Sequence, residues 1–121
     1  MIYHLLTPED WRACGDRTSY RPASLAKEGF IHCSTRDQLL DTAMRYFDHR
    51  PELLVLVIEP GRVVPNILYE GSAERGQAFP HIYGALNRDA ILAVYPLTRA
   101  EHGGFQLPDA IGVRSPVDDE P

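Results

Sequence analysis

Two short segments hold most of the residues able to do chemistry: Gly29-Phe30-Ile31-His32-Cys33-Ser34-Thr35 and Phe79-Pro80-His81-Ile82-Tyr83-Gly84. Each sets one histidine among apolar neighbours, where an imidazole needs a hydrogen-bond partner, a metal or a ligand. If residues 30–34 are extended, His32 and Ser34 share one face while Ile31 and Cys33 take the other. Thr35 follows at the start of a helix, so backbone N–H groups should lie close by, a corner suited to a ribose hydroxyl, carboxylate or phosphate. The plainer alternative makes Ser34 or Thr35 a helix cap and His32 a core histidine. His81 and Tyr83 have the same i, i+2 relation and can clamp a flat ring between stacking and hydrogen bonding. There the alternative is a packed turn shaped by Pro80 and Gly84.

His4, in the opening apolar segment, and Glu70, ending another, are weaker candidates. A carboxylate beside a histidine can act as general base or hold a ribose, though a glutamate at a strand end is more often a solvated edge residue. A metal centre is disfavoured: there is no HxH, HExxH or CxxC spacing, and His32 and Cys33, being adjacent, point to opposite faces. The same geometry argues against Cys33 as a nucleophile paired with His32. His49, before Arg50-Pro51, reads as a cation at the negative end of a helix.

These groups must be positioned by the rest of a 121-residue chain, the size of one domain. Ile2–Leu6 reads as a strand. Thr7-Pro8-Glu9-Asp10 is a helix start, with Thr7 as cap, Pro8 in the first turn and acids at the positive pole. Trp11 and Cys14 should face inward before Gly15 ends that helix. Residues 16–21 read as a polar loop, and 22–27 as a helical turn stopped by Gly29. The spacing of Leu39, Leu40, Ala43, Met44 and Phe47 predicts an amphipathic helix over about 36–47, burying Leu40, Met44 and Phe47. Leu53–Ile58 is apolar without alternation, as expected of a central strand covered on both faces. A shorter strand over 67–70, a polar loop over 71–77 and a final strand over 90–97 complete an α+β domain with a bent, mostly antiparallel sheet and two to three helices. Residues 1–98 are expected to form that domain and 99–121 a polar extension, with 114–121 lacking fixed structure.

Composition narrows the partners. Hydrophobic residues make up 44%, charged residues 24%, and the net charge is −5. Lys27 is the only lysine, and the arginines are scattered, so the basic face that general nucleic-acid binding needs is missing. No apolar run approaches the roughly 18 residues of a membrane span, and the start lacks the pattern of a signal peptide. A cytoplasmic chain with reduced Cys14 and Cys33 is expected. No GxGxxG or P-loop separates a strand from a helix, which disfavours a doubly wound nucleotide fold.

Ile2-Tyr3-His4, the run from Ser24 to Ser34, and Phe79–Gly84 together resemble a small bacterial family called domain of unknown function 952, over about residues 2–97. That family is placed with the ADP-ribosyltransferase-like superfamily, and the layout is similar to that of the RNA 2′-phosphotransferases. The resemblance implies a split, bent sheet around a cleft for NAD or an ADP-ribosyl group, taken as substrate and without a metal. It implies that His4 hydrogen-bonds ribose, that His32 and Ser34 line the cleft, and that His81 and Tyr83 form its far wall. Glu70 departs from the superfamily's usual position for a catalytic glutamate, since it precedes the last histidine segment, and the phosphotransferases' phosphate-binding arginines have no clear counterparts. The expectation is an NAD- or ADP-ribose-related transferase or hydrolase with His32, His81 and Glu70 catalytic and His4, Ser34, Thr35 and Tyr83 binding. The alternatives are a nucleotide or small-metabolite binding protein without turnover and, third, a metal-dependent hydrolase.

Overall fold

Alternation along the first strand decides where the chain's two cores lie. The computed structural model describes residues 1–72 and 76–112. In β1 (Ile2–Leu6), Ile2 and Leu6 join one buried cluster, while Tyr3 and Leu5 join another on the opposite side. β1 pairs antiparallel with β4 (Glu52–Ile58), which pairs with β8 (Ile91–Arg99), and β8 with β9 (Phe105–Gln106). β4 is therefore interior to a four-stranded sheet, and Leu53, Val55, Leu56 and Ile58 are fully buried. Its unbroken apolar run follows from having a core on each face.

A second sheet carries the histidine segments. β6 (Gln77–Tyr83) is its middle strand, between β5 (Asn66–Ser72) and the short β3 (Ile31–His32). Beyond β3 the Cys33 N–H donates to the Pro80 carbonyl at 3.0 Å, and Ser34 bridges Tyr3 of β1. This seam joins the two sheets edge to edge into one curled antiparallel surface. A two-stranded pair, β2 (Ser19–Tyr20) with β7 (Leu86–Asn87), closes one side.

Helices cap the curl. α1 (Pro8–Cys14) starts on Thr7, whose hydroxyl accepts from the Asp10 N–H at 3.1 Å, and ends on Gly15. α2 (Ala23–Glu28) ends on Gly29, whose φ of 88° lies in the left-handed region. That turn aims Phe30 and His32 back across the end of α2. Gly29→Ala is expected to cost about 1–2 kcal/mol in chemical denaturation, because a Cβ strains this conformation. α3 (Leu39–Phe47) follows a 3-10 turn over Arg36–Gln38 and packs on the second cluster through Leu39 and Ala43. Four α-helices occur among the described residues, the last being α4 (Asp109–Gly112).

Several expectations change. Met44 is exposed, and Leu40 and Phe47 are only partly buried; Leu39 and Ala43 turn inward instead. The apolar stripe is the expected one, but its centre lies on Leu39 and Ala43, one turn apart, with Leu40 and Phe47 at its margins and Met44 beyond them. Tyr20 is buried and paired in β2, inside the stretch read as a polar loop. Residue 98 falls within β8, and β9 and α4 place Phe105 and Ile111 in the second cluster. Arg99 fastens this segment by donating to the Gly103 carbonyl at 2.8 Å and lying 4.0 Å over the Phe105 ring. The expectation for 114–121 concerns residues outside those described.

Candidate functional site

His32 and His81 are direct cross-strand partners between β3 and β6, and their ring centroids are 5.4 Å apart. The neighbouring pair, Ile31 and Ile82, points to the opposite face and is fully buried. The strand pairing thus fixes both imidazoles on one face while their neighbours anchor the sheet. Phe30 stacks on His81 at 4.1 Å and meets His32 edge-on at 4.8 Å. Both histidines open onto a cavity of about 660 Å³ between the curled sheet, α2 and α3. His4, Ser34 and Glu70 line it too, with Leu5, Leu6, Phe47 and Phe79 among the apolar wall.

Each of these imidazoles is held by a carboxylate. His81 Nδ1 donates to Glu70 Oε1 at 2.7 Å, which leaves the lone pair of the neutral ring on Nε2. The Tyr83 hydroxyl donates to the same oxygen at 2.5 Å. These bonds, Tyr83's first and His81's second, hold the Glu70 carboxyl below its ordinary range, while the Tyr83 phenol moves up. Glu70 is therefore an ionised carboxylate at neutral pH. On the other strand, His32 Nε2 donates to Glu28 Oε1 at 2.9 Å, four residues back across the Gly29 turn. A histidine oriented by a carboxylate through one nitrogen presents the other to a substrate as a base, or as an acid once protonated.

His4 is committed differently. Its Nδ1 donates to the His32 carbonyl at 2.6 Å, and its Nε2 accepts from the Tyr20 hydroxyl at 2.8 Å. Burial holds its pKa down at about 4, so the ring is neutral. With both nitrogens used inside the protein, a ribose bond to His4 has to displace Tyr20. His4 braces the backbone of His32, and Tyr20 braces His4. Tyr20→Phe leaves the buried Nε2 without a donor and is expected to cost about 1–3 kcal/mol in urea unfolding.

The remaining predicted residues divide. Ser34 lines the cavity, but its hydroxyl donates to Thr42 Oγ1 at 3.3 Å and its N–H to the Tyr3 carbonyl at 2.7 Å. Thr35 does not line the cavity, and its N–H donates to Gln38 Oε1 at 2.9 Å in a capping box. The N–H groups of Ser34 and Thr35 themselves are thus bonded within the fold. Tyr83 also lies off the cavity lining and reaches it only through Glu70. Cys33 is buried, and burial pushes its thiol up, away from the thiolate a nucleophile needs. No group of three or more His, Cys, Asp or Glu among the described residues could hold a metal ion. No helix among them is long and apolar enough to cross a membrane.

Sequence reasoning missed Tyr20, Glu28 and Phe30. Glu28 and His32 were legible in principle, as an acid and a base four apart around a helix-stopping glycine. Tyr20 gave a fainter signal, the one aromatic residue in an otherwise polar stretch.

No curated protein matches the chain in sequence. Among solved structures, it is similar to the crystal structure of protein CC0527 from Caulobacter crescentus, with 27% identity and a TM-score of 0.80 over 93% of this chain and 98% of that one. The solution NMR structure of CC0527 gives 28% identity and a TM-score of 0.75, covering 90% of this chain and 94% of that one. Residues 5–94 match the family described as "Protein of unknown function (DUF952)". That span runs from β1 into β8 and includes His32, Glu70 and His81, so the chain belongs to the DUF952 family.

Proposed function

We propose that the cavity binds an ADP-ribosyl or closely related nucleotide group, with NAD or ADP-ribose as substrate, and transfers or hydrolyses it. The observation that carries this reading is the convergence of one ionised carboxylate and two carboxylate-held imidazoles in a single, largely apolar cavity. Its volume lies in the usual range for small-molecule sites. A relation to the ADP-ribosyltransferase-like superfamily, inferred from the two histidine segments, is part of the same proposal.

The chemistry follows from the groups present. The bond between ribose C1′ and the nicotinamide nitrogen breaks, and its electron pair leaves with nicotinamide. Positive charge builds on the ribose, and the Glu70 carboxylate stabilises it. An acceptor hydroxyl or water then adds to C1′ and gives its proton to His81 Nε2. His32 on β3, held by Glu28 at the end of α2, provides the second acid–base pair. Phe30, stacked on His81, keeps that imidazole from rotating.

Thermal-shift and calorimetric titration with NAD, ADP-ribose and nicotinamide tests the binding, and chromatography after incubation tests the turnover. Binding of at least one, with release of nicotinamide or transfer of ADP-ribose, is the expected result. No binding to any of them overturns the proposal. A second reading, nucleotide binding without turnover, is favoured by the commitment of both His4 nitrogens and of Glu70 Oε1 to internal bonds. Ligand that binds and is recovered intact after long incubation supports that reading.

A further inference from the structure

A second cavity, of about 350 Å³, lies beside the first and shares Asp10, Tyr20, Pro22 and Ala23 with it. Its lining adds Arg17 and Arg21, two of the few cationic side chains near the histidines of this acidic chain. Both are exposed, and neither side chain makes a hydrogen bond or ion pair with the described residues. Arg88 beside them is occupied. It lies 4.6 Å over the Trp11 ring and donates to the Gly15 carbonyl at 2.5 Å and the Arg17 carbonyl at 3.2 Å.

Those contacts fix the wall that carries the Arg17 and Arg21 guanidinium groups. Arg88 ties down the turn leading to Arg17, and its own N–H donates to the Thr18 carbonyl at 2.9 Å. Ser19 and Tyr20 are then held by pairing with Asn87 and Leu86. Arg17 and Arg21 thus flank a three-residue stretch with a fixed backbone, and both side chains border one concavity. Guanidinium groups are the side chains best suited to hold phosphate oxygens, because their planar fork donates two parallel hydrogen bonds. No arginine or lysine among the described residues lines the first cavity.

We infer that this second cavity is an anion subsite in which Arg17 and Arg21 bind the phosphate groups of the ligand whose sugar and ring occupy the first cavity. The inference rests on the nucleotide reading above for its ligand and adds the feature that selects phosphorylated over unphosphorylated molecules. Asp10, at the junction of the two cavities, repels phosphate and faces the boundary where sugar hydroxyls can donate to it. Tyr20 forms the shared wall, with its hydroxyl turned to His4.

Calorimetry with inorganic pyrophosphate, ADP-ribose and adenosine, on the wild type and on an Arg17→Ala/Arg21→Ala variant, tests this. Both positions are exposed, so the variant is expected to keep the wild-type melting temperature, and a variant carrying Arg17→Lys/Arg21→Lys should recover part of the affinity. Pyrophosphate and ADP-ribose are expected to bind the Ala variant roughly 10–100-fold more weakly, the effect of losing charge-assisted hydrogen bonds. Adenosine binding should be unchanged. Equal ADP-ribose affinity in the wild type and the Ala variant overturns the subsite and leaves the nucleotide reading standing. Pyrophosphate binding that the Ala variant loses, with no binding of ADP-ribose to either, supports the subsite and overturns the nucleotide reading. No pyrophosphate binding to the wild type, even at millimolar concentration, also overturns the subsite.

Discussion

Acidification from pH 7 to 4 is expected to remove on the order of 3 kcal/mol of folding stability through His4 alone. The folded protein holds this histidine neutral with a pKa of about 4, against 6.5 when unperturbed. Burial is the main cause, and the bond to the His32 carbonyl only partly opposes it. The sign follows from proton counting. Above pH 6.5 neither state carries the proton, and the full contribution is present. Between 6.5 and about 4 the unfolded chain binds a proton that the folded chain refuses, so stability falls as pH falls. Below about 4 both states are protonated and the loss levels off. Urea unfolding of the wild type and of His4→Gln across this interval checks it. The wild-type curve should be the steeper, and parallel curves contradict a buried neutral His4.

The largest functional effect is expected at His81. In the proposed reaction His81 takes the proton from the attacking hydroxyl, so alanine there removes the general base, and general acid–base catalysis is worth roughly 10²–10⁴-fold. A loss in kcat of that order is predicted, with a smaller change in KM. Tyr83→Phe gives a companion measurement. The Tyr83 hydroxyl is the first cause of the lowered Glu70 pKa, so its loss should move the acidic limb of the pH–rate profile to higher pH. A His81→Ala variant with unaltered kcat shows that the imidazole serves only packing.

Much of the frame was readable because local signals agreed. Thr7-Pro8 began a helix, Gly29 ended one, and the Leu53–Ile58 run marked an interior strand. The histidine segments could be placed on strands from their alternation, but not against each other. That depended on the register of β3 on β6, a long-range pairing that no local pattern encodes. The role of His4 was hidden for the same reason. A histidine in an apolar strand looks like a ligand-facing group until Tyr20, sixteen residues away, is seen to occupy its second nitrogen. The C-terminal segment was underestimated because Phe105, Leu107 and Ile111 fall in or beside two very short elements separated by Pro108, so their packing leaves no sustained periodic trace.

The central claim, that His32 and His81 together face a nucleotide ligand, is tested most directly by NMR of the five histidine rings during titration with ADP-ribose. His49 and His102 are exposed and do not line the cavity, so they act as internal references. The account predicts saturable shifts of the His32 and His81 ring signals, with His49 and His102 unmoved. Ring signals of His32 and His81 that stay unchanged at saturating ligand contradict it.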